Sequence, residues 1–156
     1  MGTPKFILEL REKIGHDLLW LPGITGVVLD GEERILLVRR ADDGRWSLPA
    51  GILEPGEEPA VAIVREIREE TAVEAEVERL VSIQALGPSS YPNGDQVQYL
   101  DLCFRCRPLR GEARVNDDES LEVAWYPLTA LPPLSPREHT CISNALTDAP
   151  PVFATS

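Results

Sequence analysis

Three glutamates lie close together in the stretch 65-REIREET-71, which follows the apolar run 60-AVAIV-64. If this stretch is helical, Glu66, Glu69 and Glu70 share one face, because residues three and four apart are neighbours on a helix. Carboxylates about 5.5 Å apart repel by ~3 kcal/mol at an effective dielectric of 20. A divalent cation would relieve that repulsion, whereas a solvated surface helix would leave the charges to water.

Two upstream residues place this acidic helix in a longer pattern. Gly51 and Glu57 precede it, and residues 51–73 read G-x5-E-x7-R-E-I-x-E-E-x-A-V. The pattern is similar to the Nudix box, G-x5-E-x7-R-E-U-x-E-E-x-G-U with U apolar, which is the signature of the Nudix hydrolases. Eight of the nine defined positions agree, and Ala72 stands where the family usually has glycine. The resemblance extends over most of residues 20–135. The MutT-like members of the family also have an acidic residue late in the chain, and this sequence has a candidate for it.

The resemblance implies a metal site and a supporting ion pair. It makes Glu66, Glu69 and Glu70 ligands of Mg²⁺ or Mn²⁺, helped by the Gly51 carbonyl. These are hard cations that prefer oxygen ligands. It also implies an ion pair between Glu57 and Arg65 that holds the loop against the helix. Catalytic roles are therefore expected for the box acids and for this pair.

A further glutamate, on the loop before a late strand, acts near the metals in MutT-like members. Glu119 is the best match here, ahead of Asp117, Asp118 and Glu122. Cleavage of a phosphoanhydride needs charge neutralisation and an activated water. A carboxylate that is not fully engaged with metal can accept the water's proton. Both Glu66 and Glu119 are candidates for that base.

The substrate implied by the resemblance is a nucleoside diphosphate linked to another group. Pro88 and Tyr91 conflict as subclass markers, so an oxidised dNTP, another nucleoside triphosphate and ADP-ribose all remain candidates. Four residues near the turn-rich loops are candidate substrate contacts. Trp46 and Tyr91 could stack on a base, with core packing the alternative for Trp46, and Arg39 and Arg45 could meet phosphates. The competing function is a non-catalytic Nudix-like module that binds a nucleotide and regulates a partner.

Composition restricts the other classes of function. The formal net charge of −11 argues against a protein that binds nucleic acid stably through its phosphates. No apolar run approaches the ~18 residues of a membrane-spanning helix. Three cysteines give no disulfide framework, so a reducing cytoplasm is the expected location. Dimers occur among members of the family, which makes a homodimer an alternative to a monomer.

The order of elements predicts a single domain over residues 1–156 with an α/β (α+β) fold. The order suggests a mixed β-sheet covered by helices, and the family resemblance implies, more specifically, the Nudix α/β/α sandwich. The predicted elements, in chain order, are a helix over 4–14, a β-hairpin from 24–30 and 34–40, an ordered loop over 41–59, a helix over 59–71, strands over 75–85, 96–107 and 121–127, and a helix from 135. In the second helix, Val61, Val64, Ile67 and the stem of Arg68 are expected to face the core, and Ala60 and Ile63 broaden that stripe.

Overall fold

Two β-sheets and three helices make up the structure, a computed structural model that describes residues 3–156. The elements are α1 (Lys5–Ile14), β1 (Leu19–Val28), β2 (Arg34–Arg40), β3 (Trp46–Ser47), β4 (Ala50–Ile52), α2 (Pro59–Thr71), β5 (Glu74–Ala85), β6 (Ser89–Ser90), β7 (Gln96–Arg110), β8 (Ser120–Pro127) and α3 (Pro136–Ala145). None of the described helices is long and apolar enough to cross a membrane.

The larger sheet is mixed, as predicted. Its strand order is β4-β1-β7-β5, with β6 paired to β7. The central strands β1 and β7 run parallel over ten residue pairs, whereas β4 and β5 pair antiparallel on either side. The smaller sheet, β3-β2-β8, is antiparallel throughout. One apolar core lies against α2 and another against α3, which gives the predicted sandwich of helices and sheet.

The predicted hairpin is wrong in its pairing. The turn forms as expected, because Asp30 Oδ1 accepts hydrogen bonds from the backbone of Glu32 and Arg34. Beyond a single bridge between Leu29 and Ile35, however, β1 and β2 diverge into different sheets. Each strand is buried along most of its length, and each pairs with a strand that is distant in sequence.

The segment 41–59 is ordered, but it is not only loop. It contains the short strands β3 and β4, which join the smaller and the larger sheet respectively. In β4, Gly51 pairs with Ile24 of β1. The start of the box is therefore fixed to the central sheet by backbone hydrogen bonds.

Helix α2 spans Pro59–Thr71, as the sequence predicts, but its buried face matches the predicted one only in part. Ala62, Ile63 and Ile67 are fully buried, whereas Val61 is 64% exposed and its prediction as a core residue is wrong. The helix is rotated so that Glu70 belongs to the buried face. An acidic residue in that position requires a compensating partner.

Ala72 ends α2 in the left-handed conformation, with φ 63° and ψ 7°. Because a Cβ disfavours this region, we expect Ala72→Gly to stabilise the protein by about 1 kcal/mol. Urea denaturation monitored by circular dichroism measures the change. Ala62→Gly is the control, since glycine inside the helix should destabilise it. A loss of stability in Ala72→Gly would contradict the strain argument.

The side chains of Cys103 and Cys106 lie on opposite faces of β7, as their odd spacing predicts. Cys103 packs in the core against α3, and Cys106 packs in the core against α2. Both are buried free thiols. They therefore belong to two different cores.

Candidate active site

A cavity of about 630 Å³ lies beside the box, between the two sheets and the start of α3. Its floor is one face of the larger sheet, where Gly23 and Thr25 of β1 lie beside Tyr99 and Asp101 of β7. Glu66, Glu70 and Glu119 also line the cavity, so it holds acids from both α2 and the loop before β8. Its volume is within the range of small-molecule sites.

Gly51 permits the closest approach between the box loop and α2. A Cβ built on Gly51 would lie 2.3 Å from Glu66 Cδ and 2.4 Å from its Oε1. No residue other than glycine fits there unless the Glu66 carboxylate moves. The spacing of the box thus places the Glu66 carboxylate directly against the backbone of β4.

Glu70 is a buried acid with an unsatisfied oxygen. Its side chain reaches the backbone of Ala50, yet its Oε2 is buried without a hydrogen-bond partner among residues 3–156. Burial raises the pKa of Glu70 well above its usual value, and the charges of Glu66, Asp117 and Glu119 raise it further. Such a group is costly to keep ionised unless positive charge is nearby.

Glu66 is held in a similar environment. Burial raises its pKa to about 7, with Arg65 opposing the shift and the charges of Glu69 and Glu119 adding to it. A carboxyl with a pKa near 7 is suited to accept and return a proton at neutral pH.

Arg65 connects the box loop to the acidic helix. Its Nε and Nη2 donate to the two oxygens of Glu57 at 2.8 and 2.9 Å, which is the bidentate ion pair that the family resemblance implies. These hydrogen bonds lower the pKa of Glu57. Nη1 donates to Glu66 and Glu69 at 3.1 and 3.0 Å. Glu69 is thereby turned towards Arg65 and does not line the cavity.

The carboxylate oxygens of Glu66 and Glu70 are suitable ligands for a hard divalent cation. Burial disfavours the charged forms of Glu66 and Glu70, as their raised pKa values indicate, and Oε2 of Glu70 has no hydrogen-bond partner among the described residues; a bound cation would offset that cost. In the described part of the chain, no three Asp, Glu, His or Cys side chains are already gathered as a metal-binding group. The carboxylate of Glu69 is bound to Arg65 and is therefore not gathered with the other acids.

Glu119 lies at the cavity, on the loop before β8. Its backbone carbonyl accepts a hydrogen bond from Ala41 at 2.8 Å, which fixes the loop beside the end of β2. Burial raises the pKa of the Glu119 carboxyl. Glu122 instead forms an exposed ion pair with Arg39, at 2.8 Å, and does not line the cavity.

The four candidate substrate contacts separate by position. Tyr91 lines the cavity, and its hydroxyl lies 2.7 Å from that of Tyr99. Trp46 packs edge-on against Tyr126, with ring centroids 5.0 Å apart, and lies outside the cavity lining. Arg39 and Arg45 are also outside the lining, whereas the neighbouring Arg40 is part of it. The geometry therefore supports a substrate contact only for Tyr91 among the four.

Three polar residues on the cavity floor were not predicted from the sequence. Asp101 and Thr25 are 4% and 1% exposed, and Arg137 from the start of α3 binds both of them. The available signal was weak: a single aspartate interrupts the apolar run of β7, and an arginine follows the Ser135-Pro136 helix start.

Comparison with known proteins identifies the family. The model for the NUDIX domain matches residues 20–145. The human protein named 8-oxo-dGDP phosphatase NUDT18 is 34% identical over 137 residues, covering 84% of this chain, which spans only 38% of that relative's length. The ADP-ribose pyrophosphatase of Methanocaldococcus jannaschii is 31% identical over 135 residues, covering 84% of this chain and 77% of its own length.

The fold is also similar to that of a solved Nudix domain. The NUDIX domain of Shewanella oneidensis NrtR, crystallised with ADP-ribose, superposes with a TM-score of 0.67 at 19% identity, covering 93% of this chain and 97% of its own. That similarity concerns the fold alone. The family match over residues 20–145 shows that this chain belongs to the Nudix family.

Proposed function

We propose that this protein hydrolyses a phosphoanhydride bond in a nucleoside diphosphate derivative, with Mg²⁺ or Mn²⁺ as cofactor. The observation that carries the proposal is the pair formed by Glu70, which is buried, and Glu66, which is partly buried; both have raised pKa values and line a cavity of about 630 Å³. Relatives named for action on 8-oxo-dGDP and ADP-ribose support the substrate class. An oxidised guanine nucleotide and ADP-ribose are the two leading substrates.

Glu66, Glu69, Glu70 and the Gly51 carbonyl are the proposed ligands, with Glu119 near them. For Glu69 this requires its carboxylate to leave Arg65, a partner that also binds Glu57 and Glu66. When bound, the cation supplies the positive charge that the substrate's phosphates require in an acidic cavity. Arg65 keeps the box loop and α2 in register through Glu57.

The proton of the attacking water needs an acceptor, and two carboxyls are placed for that role. Glu66 lies against β4, where burial raises the pKa of its carboxyl to about 7. Glu119 lines the same cavity from the loop before β8. Either acid can accept the proton and release it to solvent after the bond is cleaved.

The test is a nucleotide panel containing 8-oxo-dGDP, 8-oxo-dGTP and ADP-ribose, with Mg²⁺ or Mn²⁺ and with EDTA as the control. Release of phosphate, pyrophosphate and nucleoside monophosphate is quantified. Metal-dependent cleavage of one member supports the proposal. Tight binding without cleavage of any member contradicts it and favours the non-catalytic module.

The same nucleotide assay distinguishes Glu119 from Glu122, two acids that are close together in the sequence. Glu119→Gln should lower kcat by about 100-fold, because it removes a carboxylate from the cavity wall. Glu122→Gln should stay within about threefold of the parent, since it loses only an exposed ion pair with Arg39. The reverse ranking would assign the late acid to Glu122.

A further inference from the structure

A second cavity, of about 320 Å³, lies beside the first, between α1 and the larger sheet. We call this second space the side cavity. Its apolar walls come from four elements, namely Ile7 of α1, Leu21 of β1, Ile52 of β4 and Val97 of β7. Ile52, Tyr91 and Tyr99 line both cavities. Because these walls are shared, a ligand that occupies the larger cavity can extend into the side cavity.

The two cavities differ in chemistry. The larger one holds the acids Glu66, Glu70 and Glu119, whereas none of these three lines the side cavity. The charged groups that do line the side cavity, Arg11 and Asp95, are ion-paired with each other at 3.6 Å. A mostly apolar space with a few polar groups is the usual setting for the apolar part of a ligand. In a nucleotide, that part is the base.

Tyr91 and Tyr99 supply a polar contact at the junction of the two cavities. Their hydroxyls lie 2.7 Å apart, so one donates its hydrogen to the other. The hydrogen of the accepting hydroxyl has no hydrogen-bond partner among residues 3–156 and can be donated to a ligand. Burial raises the pKa of Tyr99, which keeps its hydroxyl protonated at neutral pH. The junction therefore presents one donor to a base that carries an acceptor.

The segment that carries Tyr91 is held in place by α1. Arg11, in the last turn of α1, donates from Nη2 to the carbonyl of Gln96 at 2.8 Å. Asp95 lies 2.7 Å from Nδ1 of His16, just beyond the end of the helix. The segment between β5 and β7 is thus fixed to the end of α1 at two neighbouring residues. The side cavity therefore has a defined shape, with Tyr91 as one of its walls.

The side cavity lies within reach of the proposed metal site. Gly51 pairs with Ile24 on β1, and Leu21 is three residues away along the same strand. Three residues of a strand span about 10 Å. A diphosphate at the acids of α2 can therefore be joined through its ribose to a base in the side cavity.

We propose that the side cavity is the subsite for the base of the substrate, with the hydroxyl pair of Tyr91 and Tyr99 donating one hydrogen bond to an acceptor of that base. Both leading substrates meet this requirement, since adenine presents N7 and an oxidised guanine presents O6. This inference rests on the proposed function for the position of the diphosphate.

Calorimetry with Mg²⁺ tests the proposal without relying on turnover. The ligands are the α,β-methylene diphosphates of adenosine and guanosine, together with methylenediphosphonate, which has no base. Ile7→Trp fills much of the side cavity. It should weaken the binding of both nucleotides by about tenfold or more, which is the usual worth of contacts to one base, and leave methylenediphosphonate unchanged.

The matched control is Leu8→Trp. Leu8 is the next residue of α1, but it is 55% exposed and lies outside the lining of both cavities. This variant should keep all three affinities within about twofold of the parent values. Unchanged binding of the nucleotides by Ile7→Trp, or equal weakening of all three ligands, overturns the proposal.

Methyl NMR of the parent protein decides the matter even if Ile7→Trp fails to fold. A base in the side cavity lies close to the methyl groups of Ile7, so its ring current should shift the Ile7 signal when either nucleotide binds, but not when methylenediphosphonate does. Ile83, on β5 and outside both cavity linings, provides a signal that should not move. Nucleotide binding without the Ile7 shift, or no binding of either nucleotide, overturns the proposal. Failure of the proposed function is seen separately, as absence of hydrolysis across the nucleotide panel while the Ile7 shift persists.

Discussion

Glu70→Gln should abolish turnover and at the same time stabilise the metal-free protein. The substitution removes one carboxylate charge from the proposed metal site, for which we expect at least a 100-fold loss of kcat/KM at saturating Mg²⁺, that is, about 3 kcal/mol. The buried Oε2 of Glu70 has no hydrogen-bond partner among the described residues, so a neutral amide removes a charge that the fold holds at a cost.

The stabilisation should depend on pH in a defined direction. Burial raises the pKa of Glu70 in the folded protein, so above about pH 4.5 the unfolded chain binds fewer protons than the folded one. The stability of the parent protein then falls as pH rises. Glu66, with a folded pKa of about 7, adds to the loss between about pH 4.5 and 7. Glu70→Gln should therefore stabilise clearly at pH 8 and little at pH 4, measured by urea denaturation in EDTA.

Glu69→Gln is the matched comparison. It should also lose metal-dependent turnover as a proposed ligand, but it should not gain stability, because it gives up a 3.0 Å hydrogen bond from Arg65. Near-normal turnover in both variants at saturating Mg²⁺ would refute the metal assignment. A parent protein whose stability is unchanged from pH 4 to 8 in EDTA would refute the electrostatic argument.

Gly51→Ala should remove activity while leaving the fold almost intact. The new Cβ would lie 2.3 Å from Glu66 Cδ, so the carboxylate has to move by more than 1 Å to reach ordinary van der Waals contact. A displacement of about 1 Å at a reacting group can cost 100-fold in rate, and we expect a loss of that size in kcat. Stability should change by less than about 2 kcal/mol, because the clash is with the flexible end of a side chain.

Gly87→Ala is the control for that substitution, since a Cβ there meets nothing within 4 Å. Combining Gly51→Ala with Glu66→Gln gives a sharper test. If alanine acts by displacing the Glu66 carboxylate, the double variant should be little worse than Glu66→Gln alone. Fully additive losses would show that Gly51 matters for another reason, such as its backbone carbonyl.

Local patterns in the sequence were sufficient where the structure depends on local contacts. The bounds of α2 and its Pro59 start follow from helix rules, and the Glu57–Arg65 ion pair was implied by the family resemblance. The orientation of α2 about its own axis could not be predicted from the sequence, because its valines and isoleucines allow two apolar faces. The choice between them depends on the sheet against which the helix packs, which leaves Val61 exposed.

Distant pairings were beyond the reach of local patterns. The turn at Asp30 was correctly predicted, but β1 pairs with β7, which begins almost 70 residues later along the chain. The polar contacts on the cavity floor likewise join Thr25, Asp101 and Arg137 from three separate elements, and no spacing in the sequence relates them. Trp46 was ambiguous for the same reason, since its partner Tyr126 belongs to β8.

The hydrogen bond between Glu138 and the backbone of Leu48 also determines when, during protein synthesis, the site can be completed. The box emerges from the ribosome early, yet the segment leading into Gly51 lacks this anchor until α3 has been translated. Its sheet neighbour β1 must likewise wait for β7 before it can pair in parallel. A nascent chain that ends before α3 would therefore display the acidic helix without a finished cavity, so the capacity to bind substrate should arise only once nearly the whole domain has been made.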